Sequence, residues 1–293
     1  MSDYVVRAIS KDGGFRGFAA NTTQLVQELQ RKHVTFPTAS AALGRTATMG
    51  ALMGLELKNK KDVVTIQVKG DGPLGEVMVV ANGEGHVRGY VDQPDVMIPL
   101  KENGKIDVSG GIGQGYIYIM RDIGMREPYR GSAPIVSGEL AEDFTYYYST
   151  SEQVPSSIGL GVIVNRDQIL VAGGYMIQVL PGASDESINE LEKRIMEIPS
   201  VTSLLESGLT PEDMLYRLLG DDAEILGRKT IEFRCSCSLE KTKSMLASLG
   251  KKELQDIIEQ DGKAEVVCHF CNSKYHFSKE ELEEILEGIS GLD

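Results

Sequence analysis

The sequence predicts an α+β fold: a large mixed domain on a mainly antiparallel sheet, a helical connector, and a small C-terminal domain holding four cysteines. Three observations predict it. Strand-like runs rich in Val, Ile and Tyr, with only a few helical segments between them, fill residues 1–182. Short capped helices separated by breakers fill residues 183–229. All four cysteines lie beyond residue 230, as Cys235-x-Cys237 and Cys268-x-x-Cys271.

In chain order, the strand-like runs are Tyr4–Ile9, Val63–Val68, Glu76–Val80, His86–Val91, Tyr116–Met120 and Ile169–Val171, bounded by Gly, Asp and Asn. Helices are expected over 22–33, 38–57 and 138–149. The second is rich in small residues (Ala39, Ala41, Ala42, Gly44, Ala47, Gly50, Ala51, Gly54), so it can approach neighbours closely and act as the central packing element. The stretch 37–57 is the most membrane-like in the chain. It carries Arg45 and much Thr, Ser and Gly, and reads as a buried helix of a soluble protein.

The connector, 183–229, has its own punctuation. Ser184 caps a helix in which Ile188, Leu191, Ile195 and Ile198 recur at helical spacing, and Pro199 ends it. Thr210-Pro211-Glu212-Asp213 starts another, with acids at the positive end of the helix dipole, running to Gly220. Helices this short are stable only while docked on a neighbour. In the third segment, 230–293, helices are expected over Ser238–Leu249 and 252–261, and a strand over Ala264–Val267. Ser278-Lys279-Glu280-Glu281 forms a capping box, with Phe277 and Leu282 as its hydrophobic staple.

Composition narrows the function classes. The net charge is −13, and residues 230–293 carry eight Lys or Arg against thirteen Asp or Glu, which argues against a polyanionic partner. The N-terminus lacks a basic region followed by an apolar run, so no export signal is expected. A cysteine-poor chain of this kind points to a reducing cytoplasm, where paired cysteines more often hold metal than permanent crosslinks. Neither nucleic acid nor membrane is expected as a partner.

Four thiols in two close pairs suit one tetrahedral Zn²⁺. Cys235 and Cys237 face one side of an extended segment, and the C-x-x-C turn makes Cys268 and Cys271 converge. His269 and His276 could also ligate, but four cysteines already complete the set; these rings, with Lys274, are expected beside the site, softening the thiolate charge. A structural zinc supplies roughly 10–16 kcal/mol of apparent binding energy, against a net domain stability of about 5–15 kcal/mol. Were it replaced by one disulfide within each pair, the new loops would be too short to restrict the unfolded chain. The module would then unfold, and the docked connector could follow. Spacing alone leaves open whether this zinc is a staple or a switch.

Phe233-Arg-Cys-Ser-Cys-Ser238 and Val267-Cys-His-Phe-Cys-Asn272 resemble the C-terminal signature of the thirty-three-kilodalton heat-shock protein family, the redox-regulated holdase chaperones. Gly70-Asp-Gly-Pro-Leu-Gly75, His86-Val-Arg-Gly-Tyr90 and Ala172-Gly-Gly-Tyr-Met-Ile-Gln178 extend the resemblance through the larger domain. Tyr175 stands where some relatives carry Trp. The resemblance implies one Zn²⁺ per chain held by Cys235, Cys237, Cys268 and Cys271 in a reduced, inactive form. It also implies that oxidation forms Cys235–Cys237 and Cys268–Cys271, releases the metal and unfolds the connector. The exposed surface would hold non-native client proteins without ATP, as a homodimer. No enzymatic activity is implied.

Two other functions fit the cysteine pattern less well. A thiol–disulfide oxidoreductase needs its C-x-x-C at a helix start, and here Asn-Ser-Lys-Tyr-His-Phe follows Cys271. A zinc-ribbon nucleic-acid binder needs a basic module. Gly110-Gly-Ile-Gly-Gln-Gly115 leads into a strand pattern, so it is expected to be a flexible hairpin connection rather than a phosphate cradle. Of Tyr146, Tyr147 and Tyr148, at least one should be buried, since helical neighbours point different ways.

Overall fold

The computed structural model describes residues 2–165 and 168–290. The chain folds as two compact units, Met1–Arg234 and Cys235–Asp293. Residues 183–229 therefore belong with the first unit.

The first unit holds, in order, β1 (Tyr4–Ile9), β2 (Phe15–Asn21), α1 (Thr23–His33), α2 (Pro37–Glu56), β3 (Val63–Gly70), β4 (Glu76–Asn82), β5 (His86–Val91) and α3 (Val108–Ile112). Next come β6 (Gly115–Asp122), β7 (Tyr129–Pro134), α4 (Ala141–Tyr147), a π-helical turn (Tyr148–Glu152), β8 (Ser156–Asn165) and β9 (Gln168–Val179). The connector supplies α5 (Asp185–Glu197), α6 (Val201–Glu206), α7 (Pro211–Leu219) and β10 (Glu224–Thr230), and β11 (Glu232–Phe233) closes the unit. One sheet has the order β10-β1-β2-β9-β8 and is antiparallel throughout. The other has the order β11-β5-β4-β3-β6-β7, antiparallel except where β11 joins β5.

Helix α2 lies between the sheets, touching β3, β4 and β5 of one and β2, β8 and β9 of the other. It is buried almost throughout. Gly44 makes that possible: a Cβ there would come within 2.7 Å of Val26 and 2.9 Å of Val162. This is the stretch whose apolar length invited a membrane reading; among the described residues no helix is long and apolar enough to cross a membrane.

A second core forms on the other face of the first sheet. Val6 and Ala8 of β1, Phe15 and Ala19 of β2, and Tyr175 and Ile177 of β9 pack against Leu191, Val201, Leu204, Leu205, Met214, Leu215, Leu218 and Leu219 of the connector. Of the anticipated stripe, Leu191 is buried in this core, and Ile188, Ile195 and Ile198, half-buried, pack against it. Ser184 accepts the amide of Ser187, and Thr210 and Asp213 form a reciprocal capping box at α7.

Two expectations change. Residues 110–115 are not a hairpin connection: Val108–Ile112 is a one-turn helix, capped where Asp107 accepts the amide of Gly110, and β6 begins at Gly115. This turn is bound to the Gly70–Gly75 stretch. Gly72 donates to the Ile112 carbonyl and Leu74 to that of Gly111, and a Cβ on Gly70 would sit 1.8 Å from the Ile112 oxygen. The helix expected over 138–149 is α4 followed by the π turn. Tyr147 and Tyr148 are buried and Tyr146 is exposed.

Candidate metal centre

The second unit comprises α8 (Leu239–Ala247), α9 (Lys251–Gln260), a hairpin of β12 (Lys263–Val267) with β13 (Lys274–Ser278), and α10 (Lys279–Ser290). Its core is small: Leu246, Leu254, Ile258, Phe277 and Leu282, with partly buried neighbours around them. Ser278 and Glu281 make the anticipated capping box, and the staple residues Phe277 and Leu282 are both buried.

The cysteines come from two segments that local hydrogen bonds shape. Cys235 and Cys237 precede α8, whose N-cap, Ser238, accepts the amide of Lys241. The Lys241 ammonium reaches back to the Ser236 carbonyl, 2.6 Å away, and fixes the residue between the two thiols. Cys268 and Cys271 sit in the turn of the β12–β13 hairpin. There the amides of Cys271 and Asn272 both donate to the Cys268 carbonyl, and Asn272 takes the left-handed conformation (φ 56°) that closes the turn.

All four sulfurs lie within 4.8 Å of one another. The Cys235–Cys268 sulfurs are 3.7 Å apart and those of Cys237–Cys271 are 3.4 Å apart. A tetrahedral Zn²⁺ with Zn–S near 2.3 Å places its sulfurs about 3.8 Å apart. The donor set therefore fits such an ion without moving either segment far. Among the described residues this is the one cluster of His, Cys, Asp and Glu side chains with metal-ligand spacing.

Electrostatics distinguish the sulfurs. Burial raises Cys235. Burial, with the thiols of Cys271 and Cys235 alongside, pushes Cys268 up to about 12 against a backbone hydrogen bond from Phe270. Burial also acts to raise Cys271, but hydrogen bonds from the Ser273 side chain and backbone, and from Cys237 and Cys268, outweigh it and bring it to about 7. Crowded thiols share protons reluctantly, and a divalent cation replaces those protons when it binds.

Two second-layer partners went unread in the sequence. The Tyr275 hydroxyl donates to the Cys237 sulfur at 3.1 Å, which pushes the phenol up to about 12. The Ser273 hydroxyl lies 3.2 Å from the Cys271 sulfur. The expectation that Lys274 and His276 would soften the sulfur charge is not met: both side chains turn to Glu265, at 3.1 and 3.4 Å. Strand alternation is the reason. Tyr275 and Phe277 share the inner face of β13, and Lys274 and His276 share the outer one.

The family model described as "Hsp33 protein" matches residues 3–278, nearly the whole chain. The chain belongs to the Hsp33 family. Among curated Hsp33-like relatives, the 33 kDa chaperonins of Staphylococcus aureus strains JH9 and Newman are each 50% identical over 291 residues, which is 98% of this chain and 99% of theirs. The crystal structure of the 33 kDa chaperonin (heat shock protein 33 homolog) of Thermotoga maritima matches with a TM-score of 0.92 at 37% identity, covering 99% of this chain and 100% of that one. Membership of the Hsp33 family supports a chaperone function, and these relatives are named as chaperonins rather than as enzymes.

Proposed function

We propose that this chain is a redox-regulated, ATP-independent holdase whose reduced form is inactive. The observation that carries the reading is the gathering of four sulfurs from two segments over thirty residues apart in sequence. Cys235, Cys237, Cys268 and Cys271 would hold one Zn²⁺ per chain as thiolates. Zinc supplies there a closed structural tie, worth more than the few kcal/mol (about 3–5) that a core this small provides.

Hydrogen peroxide, or an oxidant of its class, would form Cys235–Cys237 and Cys268–Cys271. Each pair of thiolates gives up two electrons, one S–S bond forms, the O–O bond breaks, and two protons taken from solvent complete the two waters that leave. With all four sulfurs oxidised, no thiolate remains to retain the ion or to tie the two segments together. The C-terminal segment, 230–293, then loses its fold, and the connector, 183–229, undocks from the 1–182 core.

What undocking uncovers supports the chaperone reading. Connector helices α5–α7 cover an apolar sheet face made by Val6, Ala8, Ala19, Tyr175 and Ile177. Once bare, that face offers non-native proteins the kind of surface they themselves expose. The proposal places the protein in the cytoplasm, with unfolding proteins as clients, a homodimer as the oxidised form, and no nucleic-acid partner.

The test uses the zinc-loaded reduced chain treated with peroxide at mildly raised temperature. Free thiols, released zinc and the aggregation of a heat-unfolded client are followed together. The expected result is loss of four thiols, release of one zinc and suppressed aggregation. Loss of thiols and zinc with unchanged aggregation would contradict the proposal.

A further inference from the structure

The connector does more than cover a sheet face. Its last element, β10, is the edge strand of the first sheet and pairs along the whole of β1, from Tyr4 opposite Thr230 to Ile9 opposite Glu224. The register slips between Arg7 and Ala8, so the ladder is interrupted midway. No residue of β10 is buried, and Leu226 is 43% exposed. Only Ile225, half-buried, packs against the connector-facing core, so the attachment rests mainly on backbone hydrogen bonds and a few polar contacts. Arg228 lies over the Tyr4 ring (4.4 Å) and pairs with Glu212 of α7, which also accepts the Tyr4 hydroxyl; Lys229 donates to the Gly83 carbonyl. Like charge works against it: burial lowers the Lys229 pKa, and Arg7 and Lys60 lower it further.

β1 is built differently. Val5, Val6 and Ala8 are at most 1% exposed, with Val5 in the α2 core and Val6 and Ala8 in the connector-facing core. The same strand is hydrogen-bonded to β2 along its length. When the connector undocks, β10 leaves with it, since Glu212 on α7 holds Arg228 and β10 runs within a few residues of Cys235. β1 stays. Its edge then presents a row of unpaired amides and carbonyls beside a bared apolar face, which is a template for strand addition.

We propose that the β1 edge is a strand-addition site for extended, β-prone segments of non-native proteins, and that β10 occupies it in the reduced form. This rests on the redox reading above. Main-chain pairing is indifferent to sequence, as a holdase requires, while alternate side chains of the added segment would fall beside Val6, Ala8 and Ala19.

The test uses a fluorescent peptide with the sequence of residues 224–230, and two versions of it N-methylated on one or the other alternate set of backbone amides. The full oxidised chain should bind the parent peptide and the reduced zinc-loaded chain should not. A strand pairs through one edge, so one methylated set should weaken binding about tenfold or more and the other should leave it nearly unchanged. Hydrogen exchange should show β1 amides deprotected on oxidation and reprotected by the peptide or by a held denatured client. Equal binding of both methylated peptides, or β1 amides unprotected with client bound, overturns the proposal. Aggregation suppression is measured on the same sample. If it persists while β1 gains no protection, strand addition alone fails; if it is absent, the redox reading fails as well.

Discussion

Leu215→Ala tests whether the connector is a separately docked element. Leu215 is fully buried in the connector-facing core. Beneath it lies Gly17 of β2, where an added Cβ would come within 2.8 Å of a Leu215 methyl and 2.9 Å of Ile177 and Leu219. A glycine floor has no side chain to move into the hole, so collapse is limited. The cost should fall in the middle to upper part of the usual Leu→Ala range, about 3–4 kcal/mol. If that cost falls on docking, the undocked population rises roughly 100- to 1,000-fold, at about 1.4 kcal/mol per factor of ten. The assay is hydrogen exchange of the reduced, zinc-loaded protein. Amides of α7 should exchange two to three orders of magnitude faster (about 10²–10³) while those of β3 and β4 change little. Client holding should also appear at lower temperature. If α7 and β4 amides accelerate by the same factor, the connector opens only with the whole unit, and the reasoning is refuted.

Three further outcomes follow from the same structure. Gly17→Ala alone should overpack this core and cost about 1–3 kcal/mol, whereas in the Leu215→Ala background the new methyl enters the vacated space and costs less; chemical denaturation of the four proteins measures the coupling. Asp3 accepts the amide of Leu25 at 2.7 Å, yet burial holds its pKa at about 6, above the ordinary 3.8. The neutral form is thus favoured by folding: its stabilisation is complete below pH 3.8 and is lost as pH rises through 6, a change of roughly 3 kcal/mol that Asp3→Asn should remove from urea midpoints measured across that window. Tyr275→Phe removes the hydroxyl that donates to Cys237, and metal affinity should fall about tenfold or more in competition with a chromophoric chelator.

The sequence announces this fold where local chemistry decides it, and hides it where a distant neighbour decides. β1, β3 and β5 could be read because branched and aromatic residues run between turn signals. β2 could not: Gly17, Ala19 and Ala20 dilute its two phenylalanines, and Gly17 is small because Leu215 and Leu219 of α7 pack directly over it. β10 carries no buried residue, so it lacks the alternation that betrays a strand, and only β1 makes it one. The cysteine cluster was legible because sulfur pairs at close spacing have few other uses. The roles of Tyr275 and Ser273 required knowing that residues 274–278 form a strand, since that alternation turns Tyr275 inward and Lys274 outward.

Metal content and amide protection, measured on the same reduced full-length sample before and after chelation, test the account most directly. The prediction is one zinc per chain and strong protection across α8–α10 that disappears when the ion is removed. A reduced protein purified without metal, or a C-terminal unit equally protected after chelation, would contradict it.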